Sequence, residues 1–375
     1  MLKFTFLWLC LSFAATLSAQ QTVTFRITGL PSYHQPANPI FLAGSFNNWN
    51  PGNKDYQLTK KGNEYQTSLQ LPKGKYEYKV TRGGWENAEC NASGMIAENR
   101  VLTVVSDTTI DLEVMQWADH FPATPKRSTA SKNVRIVDTA FYIPQLNRYR
   151  RIWIYLPQSY LASHKKYPVL YMQDGQNLFD EATAFSGEWG VDETLDTLGA
   201  QVGECIVVGI DNGKEKRLNE YSPYDMAQYG KGEGEEYAAF LAKTLKPFID
   251  KKYRTKKCRK HRFIAGSSMG GLISFYTMLQ YPKIFGGAGI FSPSFWIVPQ
   301  LKEGLEAKAK RVKGKIYFYA GMQESASMVP DMLYVLEQMD AHSKAKMTSV
   351  IRASGKHNEA TWKEEFPLFY KWIMK

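Results

Sequence analysis

The sequence predicts an α/β protein preceded by a smaller antiparallel β-sandwich, on three observations. Residues 22–115 alternate apolar and polar positions in short stretches separated by Gly, Pro and Asn turns, the pattern of half-buried strands in a small sandwich. From residue 134 onward, short continuous apolar runs take turns with stretches of helical periodicity, as in a mostly parallel sheet covered by helices on both faces. Between the two, residues 119–133 ("DHFPATPKRSTASKN") lack periodicity and are rich in Pro, Ser, Thr and charge.

Taken in order, residues 1–19 carry one lysine, an apolar stretch and small residues up to Ala19. This is the form of a secretory signal cleaved after Ala19, too short and wrongly flanked for a membrane span. No later run reaches the ~18 apolar residues of a transmembrane helix, so a soluble protein, secreted or periplasmic, with no integral membrane span is expected. Residues 20–118 form the sandwich, with strands at "TVTFRITGL", "PIFLAGSF", "EYQTSLQL", "KYEYKVTR" and "NRVLTVV". Residues 119–133 read as a linker. Residues 134–375 form the α/β domain, with strands such as "RRIWIYLP", "YPVLYMQ", "CIVVGI", "RFIAG", "GGAGIFS" and "KIYFYAG" and helices such as "GEEYAAFLAKTLKPFIDKKY" and "VPDMLYVLEQMDAH".

Composition narrows the function. Beyond the signal the cysteines are Cys90, Cys205 and Cys258, an odd number that makes no disulfide framework. Cys205 in "ECIVVGI" reads as a small buried hydrophobe. The formal net charge is +11, and the run "KKYRTKKCRKHR" (251–262) contributes eight Lys and Arg. Such runs are usually solvated faces, and an exported protein meets little nucleic acid, so no nucleic-acid partner is expected. No Cys/His cluster suggests a metal and no glycine fingerprint suggests a nucleotide, so no cofactor is expected.

The stretch that carries chemistry is Gly266-Ser267-Ser268-Met269-Gly270, G-x-S-x-G between a strand and a helix. The turn is so tight that side chains at its first and last positions would clash. Its middle serine is held up at the N-terminal end of a helix, which favours negative charge on a bound oxygen. A serine nucleophile needs a base and an orienting acid, following it in the order acid, then His. His34, His120 and His164 come too early in the chain, His261 starts the strand before the serine, and His342 closes a helix. His357 in "ASGKHNEATW" follows the last strand and is the candidate base. Glu324, just beyond "KIYFYAG", is the candidate acid, with Asp331 at the start of the next helix as the alternative. The oxyanion donors expected are the backbone N–H groups of Met269 and, from "YMQDGQNLFD", Gln176. Ser292 and Trp296 of "FSPSFW", with Arg217 and Tyr221 of "KRLNEYSP", are expected to line the substrate site.

Six stretches, "VLYMQDGQNLFD", "GEWGVDETLDTL", "VVGIDNGKEKRLNEYSP", "AGSSMGGLIS", "FSPSFW" and "GKHNEATW", resemble one esterase family. It is related to esterase D, to feruloyl and acetyl xylan esterases and to enterochelin-type trilactone esterases. The likeness covers about 134–375 and implies the α/β-hydrolase fold with a Ser-acid-His triad mapping onto Ser268, Glu324 and His357. Glutamate stands where esterase D-like relatives often carry aspartate. Within 40–100, "IFLAGSFNNWNP", "LPKGKYEYKVTRGGWENAEC" and "NRVLTV" are similar to immunoglobulin-like starch- and glycogen-binding modules. Trp49, Trp85 and Tyr78 are then candidate faces for stacking sugar rings, or core residues of a spacer domain. The expected function is an exported serine carboxylesterase that removes feruloyl or acetyl groups from polysaccharide-derived substrates. The alternatives are a trilactone or other small-ester hydrolase, and a non-catalytic carbohydrate-binding protein.

Overall fold

The computed structural model describes residues 20–47, 49–62, 64–121, 126–185, 187–226 and 229–375; the expected signal, 1–19, lies outside them. The chain divides into two compact units, Met1–Thr124 and Pro125–Lys375. No helix among the described residues is long and apolar enough to cross a membrane.

In the first unit seven strands form one sheet folded over a core of Val23, Phe25, Leu42, Val80, Leu112 and Trp117. Strand Gln57–Lys61 pairs with both Ile40–Gly44 and Glu64–Pro72 and so joins the two halves of the sheet. Pairing is antiparallel except between Gln20–Gly29 and Thr108–Glu113, which run parallel. Tyr78 is buried in this core, edge-on to Phe25 at 5.2 Å, so it offers no face to a sugar. Trp49 and Trp85 are half-buried, their rings 6.2 Å apart and tilted by 41°.

Among the described residues the second unit has eight strands: β1 Val134–Ile143, β2 Arg148–Tyr155, β3 Val169–Gln173, β4 Ile206–Ile210, β5 Arg262–Ser267, β6 Gly287–Phe291, β7 Lys313–Gly321 and β8 Lys344–Arg352. Their order in the sheet is β1-β2-β4-β3-β5-β6-β7-β8, with β1, β2 and β4 successively antiparallel and the rest parallel. This is the α/β-hydrolase fold. Successive residues of a strand point to opposite faces, and here both faces are buried. Tyr171, Val208, Ile264, Ile290 and Phe318 pack with the helices Met269–Gln280 and Met328–His342. Leu170, Val207, Phe263, Phe291 and Tyr317 pack on the other side with Val191–Val202 and Glu359–Met374. Two-sided burial is why these strands read as continuous apolar runs.

Residues 126–133, expected as linker, are held to this unit by a row of carboxylates. Ser128 Oγ and Thr129 N donate to Asp180, Thr129 Oγ1 to Glu188, Ser131 N to Asp192 at 2.7 Å, and Asn133 Nδ2 to Asp196 at 2.7 Å. The unordered composition of the segment therefore reflects a strap whose backbone and short hydroxyls find acceptors on the domain, rather than a free tether.

Candidate active site

In an open parallel sheet the loops leaving the carboxyl ends of the strands form the crevice in which ligands bind. Ser268 leaves β5, Ser292–Trp296 follow β6, Glu324 follows β7 and His357 follows β8. Ser268 adopts φ 57° and ψ −125°, outside the helix it introduces. A Cβ on Gly266 would lie 2.7 Å from the backbone of Gly270, and one on Gly270 3.0 Å from Asp174 Oδ2. Gly266 is thus what lets the turn close on itself, and Gly270 what lets it lie against Asp174 and Gln173. Ser268 Oγ lies 3.1 Å from Ser294 Oγ, and the Ser268 N–H donates to the Phe291 carbonyl at 2.9 Å.

His357 and Glu324 meet because the β7 and β8 loops touch through glycine. A Cβ on Gly321 would sit 2.2 Å from the Gly355 carbonyl oxygen, and Gln323 N donates to that oxygen at 3.0 Å. His357 Nδ1 lies 2.6 Å from Glu324 Oε2. A proton on Nδ1 makes this a donated bond and leaves Nε2 as the basic nitrogen. Glu324 Oε1 accepts from Ser292 Oγ at 2.7 Å and from Gly321 N at 2.6 Å. Its carboxylate is fully buried whereas the His357 side chain is 38% exposed. Trp362 packs edge-on to His357 at 5.1 Å and donates Nε1–H to Ser292 Oγ at 2.9 Å. Asp331, the alternative acid, is bound to Lys302 at 2.9 Å in the first turn of Met328–His342.

Met269 and Gln176 both stand in first turns, of Met269–Gln280 and of the 3₁₀ turn Gly175–Asn177, where backbone N–H groups have no intrahelical acceptor. Gln176 is itself fixed: its carbonyl accepts from Thr183 Oγ1 at 2.8 Å and its Oε1 from Asn212 N at 3.2 Å.

The four residues expected to line the substrate site divide. Trp296 is 42% exposed on the turn Phe295–Ile297. Ser292 is completely buried and turned toward Glu324, so it stands behind the acid rather than against a substrate. Tyr221 is also completely buried; its hydroxyl accepts from Asp174 N at 3.3 Å and its ring packs against Tyr237 at 5.1 Å, tilted by 57°. Arg217 grips Asp174 through Nε and Nη2 at 2.7 and 2.8 Å. That pair holds Asp174 in a left-handed conformation (φ 55°) at the start of the Gln176 turn, where a non-glycine residue is uncommon. Sequence reasoning passed over three residues that the fold brings here: Ser294 beside Ser268, Asp174 under the Gln176 turn, and Glu359, which bonds Asn177. The "DG" of "YMQDGQNLFD" was the available signal for Asp174, and the serine two residues beyond Ser292 for Ser294.

Comparison with known proteins gives the family of this fold. Residues 30–99 match the family model described as "Glycogen recognition site of AMP-activated protein kinase". The uncharacterized protein YbbA of Bacillus subtilis is 32% identical over 155 residues, 39% of this chain and 58% of the relative, so this chain spans little more than half of that protein. An endo-1,4-beta-xylanase/feruloyl esterase of Xylanibacter ruminicola is 28% identical over 178 residues, 45% of this chain and 23% of the relative. Among solved structures, the enterobactin esterase of Shigella flexneri superposes with a TM-score of 0.52 at 15% identity over 94% of this chain and 92% of that one. Residues 143–371, well over half the chain and containing every residue of the crevice, match the family model described as "Putative esterase", and to that esterase family the chain belongs.

Proposed function

We propose that this protein is an exported serine carboxylesterase in which Ser268 is the nucleophile, His357 the base and Glu324 the acid. The observation that carries the reading is the 2.6 Å contact of His357 Nδ1 with a fully buried Glu324 carboxylate, on the sheet edge where Ser268 stands at a strained turn. His357 Nε2 takes the Ser268 proton as Oγ attacks the ester carbonyl, and Glu324 stabilises the imidazolium that forms. The Met269 and Gln176 N–H groups receive the developing oxyanion. Expulsion of the alcohol, protonated by His357, leaves an acyl-enzyme that water hydrolyses by the same steps reversed.

Feruloyl or acetyl esters of a polysaccharide are the proposed substrates. The glycogen-recognition match of residues 30–99 and the likeness to a xylanase/feruloyl esterase support them. A trilactone is the second reading, favoured by the enterobactin esterase, whose likeness extends over both units. Turnover of 4-nitrophenyl acetate, methyl ferulate, acetylated xylan and a trilactone separates the two. Ser268→Ala is expected to lower kcat on the preferred ester by about 10⁴ or more, His357→Ala nearly as much, and Glu324→Gln well over about tenfold. Retention of a tenth of the activity by Ser268→Ala rules out the nucleophile, and a larger loss from Asp331→Asn than from Glu324→Gln rules out the acid.

A further inference from the structure

The loop after β6 is clamped to the turn at Ser268 through its backbone. Ser268 N donates to the Phe291 carbonyl at 2.9 Å, and Ser294 N donates to the Ser268 carbonyl at 3.2 Å. Gly271 leaves room for this approach, since a Cβ there would lie 3.0 Å from the Phe291 carbonyl oxygen and 3.4 Å from Pro293 Cα. Phe295, buried and edge-on to Phe275 at 5.3 Å, anchors the loop on the other side of Ser294. Ser294 is thereby held with its Oγ 3.1 Å from Ser268 Oγ. It is only 4% exposed, and among the described residues Ser268 Oγ is the sole hydrogen-bond partner of its hydroxyl. A hydroxyl has one proton to donate, and a buried O–H without an acceptor is costly. Ser294 therefore donates, and half-buried Ser268 keeps its own proton free for His357.

We propose that Ser294 is a further catalytic residue, whose O–H donates to Ser268 Oγ and speeds release of the acyl group. The inference rests on the serine-esterase reading above. In the acyl-enzyme Oγ is an ester oxygen, a poor acceptor. Water then adds to the acyl carbonyl and gives a proton to His357, so that Oγ belongs to a tetrahedral centre. As the C–Oγ bond breaks, Oγ takes that proton back from His357 and the acid departs. An oxygen on a tetrahedral centre, or one leaving it, accepts better than an ester oxygen. The Ser294 bond thus strengthens toward the transition state, the condition for lowering a barrier. Ser294 keeps its own proton throughout. In acylation the same bond is already made to the free Ser268 hydroxyl, so nothing is gained there.

The test reads the two half-reactions separately with 4-nitrophenyl acetate. Release of 4-nitrophenol in the first turnover gives acylation. Decay of the acetylated protein, followed by intact mass after rapid quenching, gives deacylation. In Ser294→Ala deacylation is expected to fall about tenfold, the loss of one hydrogen bond to an oxygen that gains charge. Acylation and kcat/KM, which is measured from the free enzyme, are expected to change by less than about twofold. Ser294→Thr keeps the hydroxyl and is expected to restore deacylation. Equal losses in both half-reactions would mark a packing role and overturn the proposal, as would unchanged deacylation. So would a folded Ser294→Thr that deacylates no faster than Ser294→Ala; should the threonine variant not fold, the split within Ser294→Ala decides alone. Peptide mapping of the acetyl group separates this inference from the reading beneath it. An adduct on Ser268 upholds the nucleophile whatever Ser294→Ala does, and an adduct on Ser294 instead defeats both.

Discussion

At the scale of single residues, the hydroxyl of Ser292 joins two parts of the site. It accepts from Trp362 Nε1 and donates to Glu324 Oε1, and Glu324 in turn holds His357. The position has φ 43°, so the backbone bends sharply to aim the side chain inward. Losing this hydroxyl strips one donor from a buried carboxylate and leaves a buried indole N–H without its acceptor. Ser292→Ala is therefore expected to lower kcat about tenfold by the same factor for every ester, with KM and acyl selectivity unchanged. A change in selectivity among acyl groups would instead return Ser292 to the substrate wall. Ser268, Glu324 and His357 could be proposed from the chain because a short motif and a fixed order of residues point to them, and the structure brings Glu324 and His357 into contact. The roles of Ser292, Ser294 and Glu359 could not, since they depend on which way a side chain turns between loops that leave different strands.

At the scale of elements, legibility followed burial. β3 to β7 are covered on both faces and their apolar runs stand out. β1, at the sheet edge, carries Arg135 and Asp138 and is exposed along much of its length, so it has little hydrophobic signal. Composition likewise hid the strap, because hydroxyls and amides that dock on carboxylates look like any solvated loop. Asp192 in that row is completely buried, with Oδ2 accepting from Ser131 N and Oδ1 without a partner. Burial pushes its carboxyl up to about 7. Folded Asp192 therefore binds its proton more tightly than the unfolded chain does. Its contribution is fully present below the ordinary carboxylate range and is lost as pH rises through about 7. Asp192→Asn keeps an acceptor for Ser131 and removes the charge. The difference in Tm between variant and wild type should become more favourable to the variant from pH 5 to pH 8. Equal differences at the two pH values would show that Asp192 does not titrate between them.

At the scale of the whole molecule, the division at Thr124 and Pro125 marks where a truncation tests the two units separately. A chain starting at Lys126 keeps the strap and all eight strands of the second unit. It should hydrolyse 4-nitrophenyl acetate at close to the full-length rate and lose activity on an insoluble polysaccharide ester. A tethered binding module raises the effective concentration of enzyme at that surface. An equal loss on both substrates would remove carbohydrate targeting from the account. The turn at Ser268 bears on the same question from another side. A non-glycine residue held at φ 57° and ψ −125° costs on the order of 1–3 kcal/mol, a sizeable share of the roughly 5–15 kcal/mol that separates folded from unfolded chains. Glycine there would relieve that cost. In a lineage that had stopped using the hydroxyl, drift and selection for stability would both favour the exchange. On the proposed serine mechanism, serine at this position is a liability that continued use of its hydroxyl keeps in place.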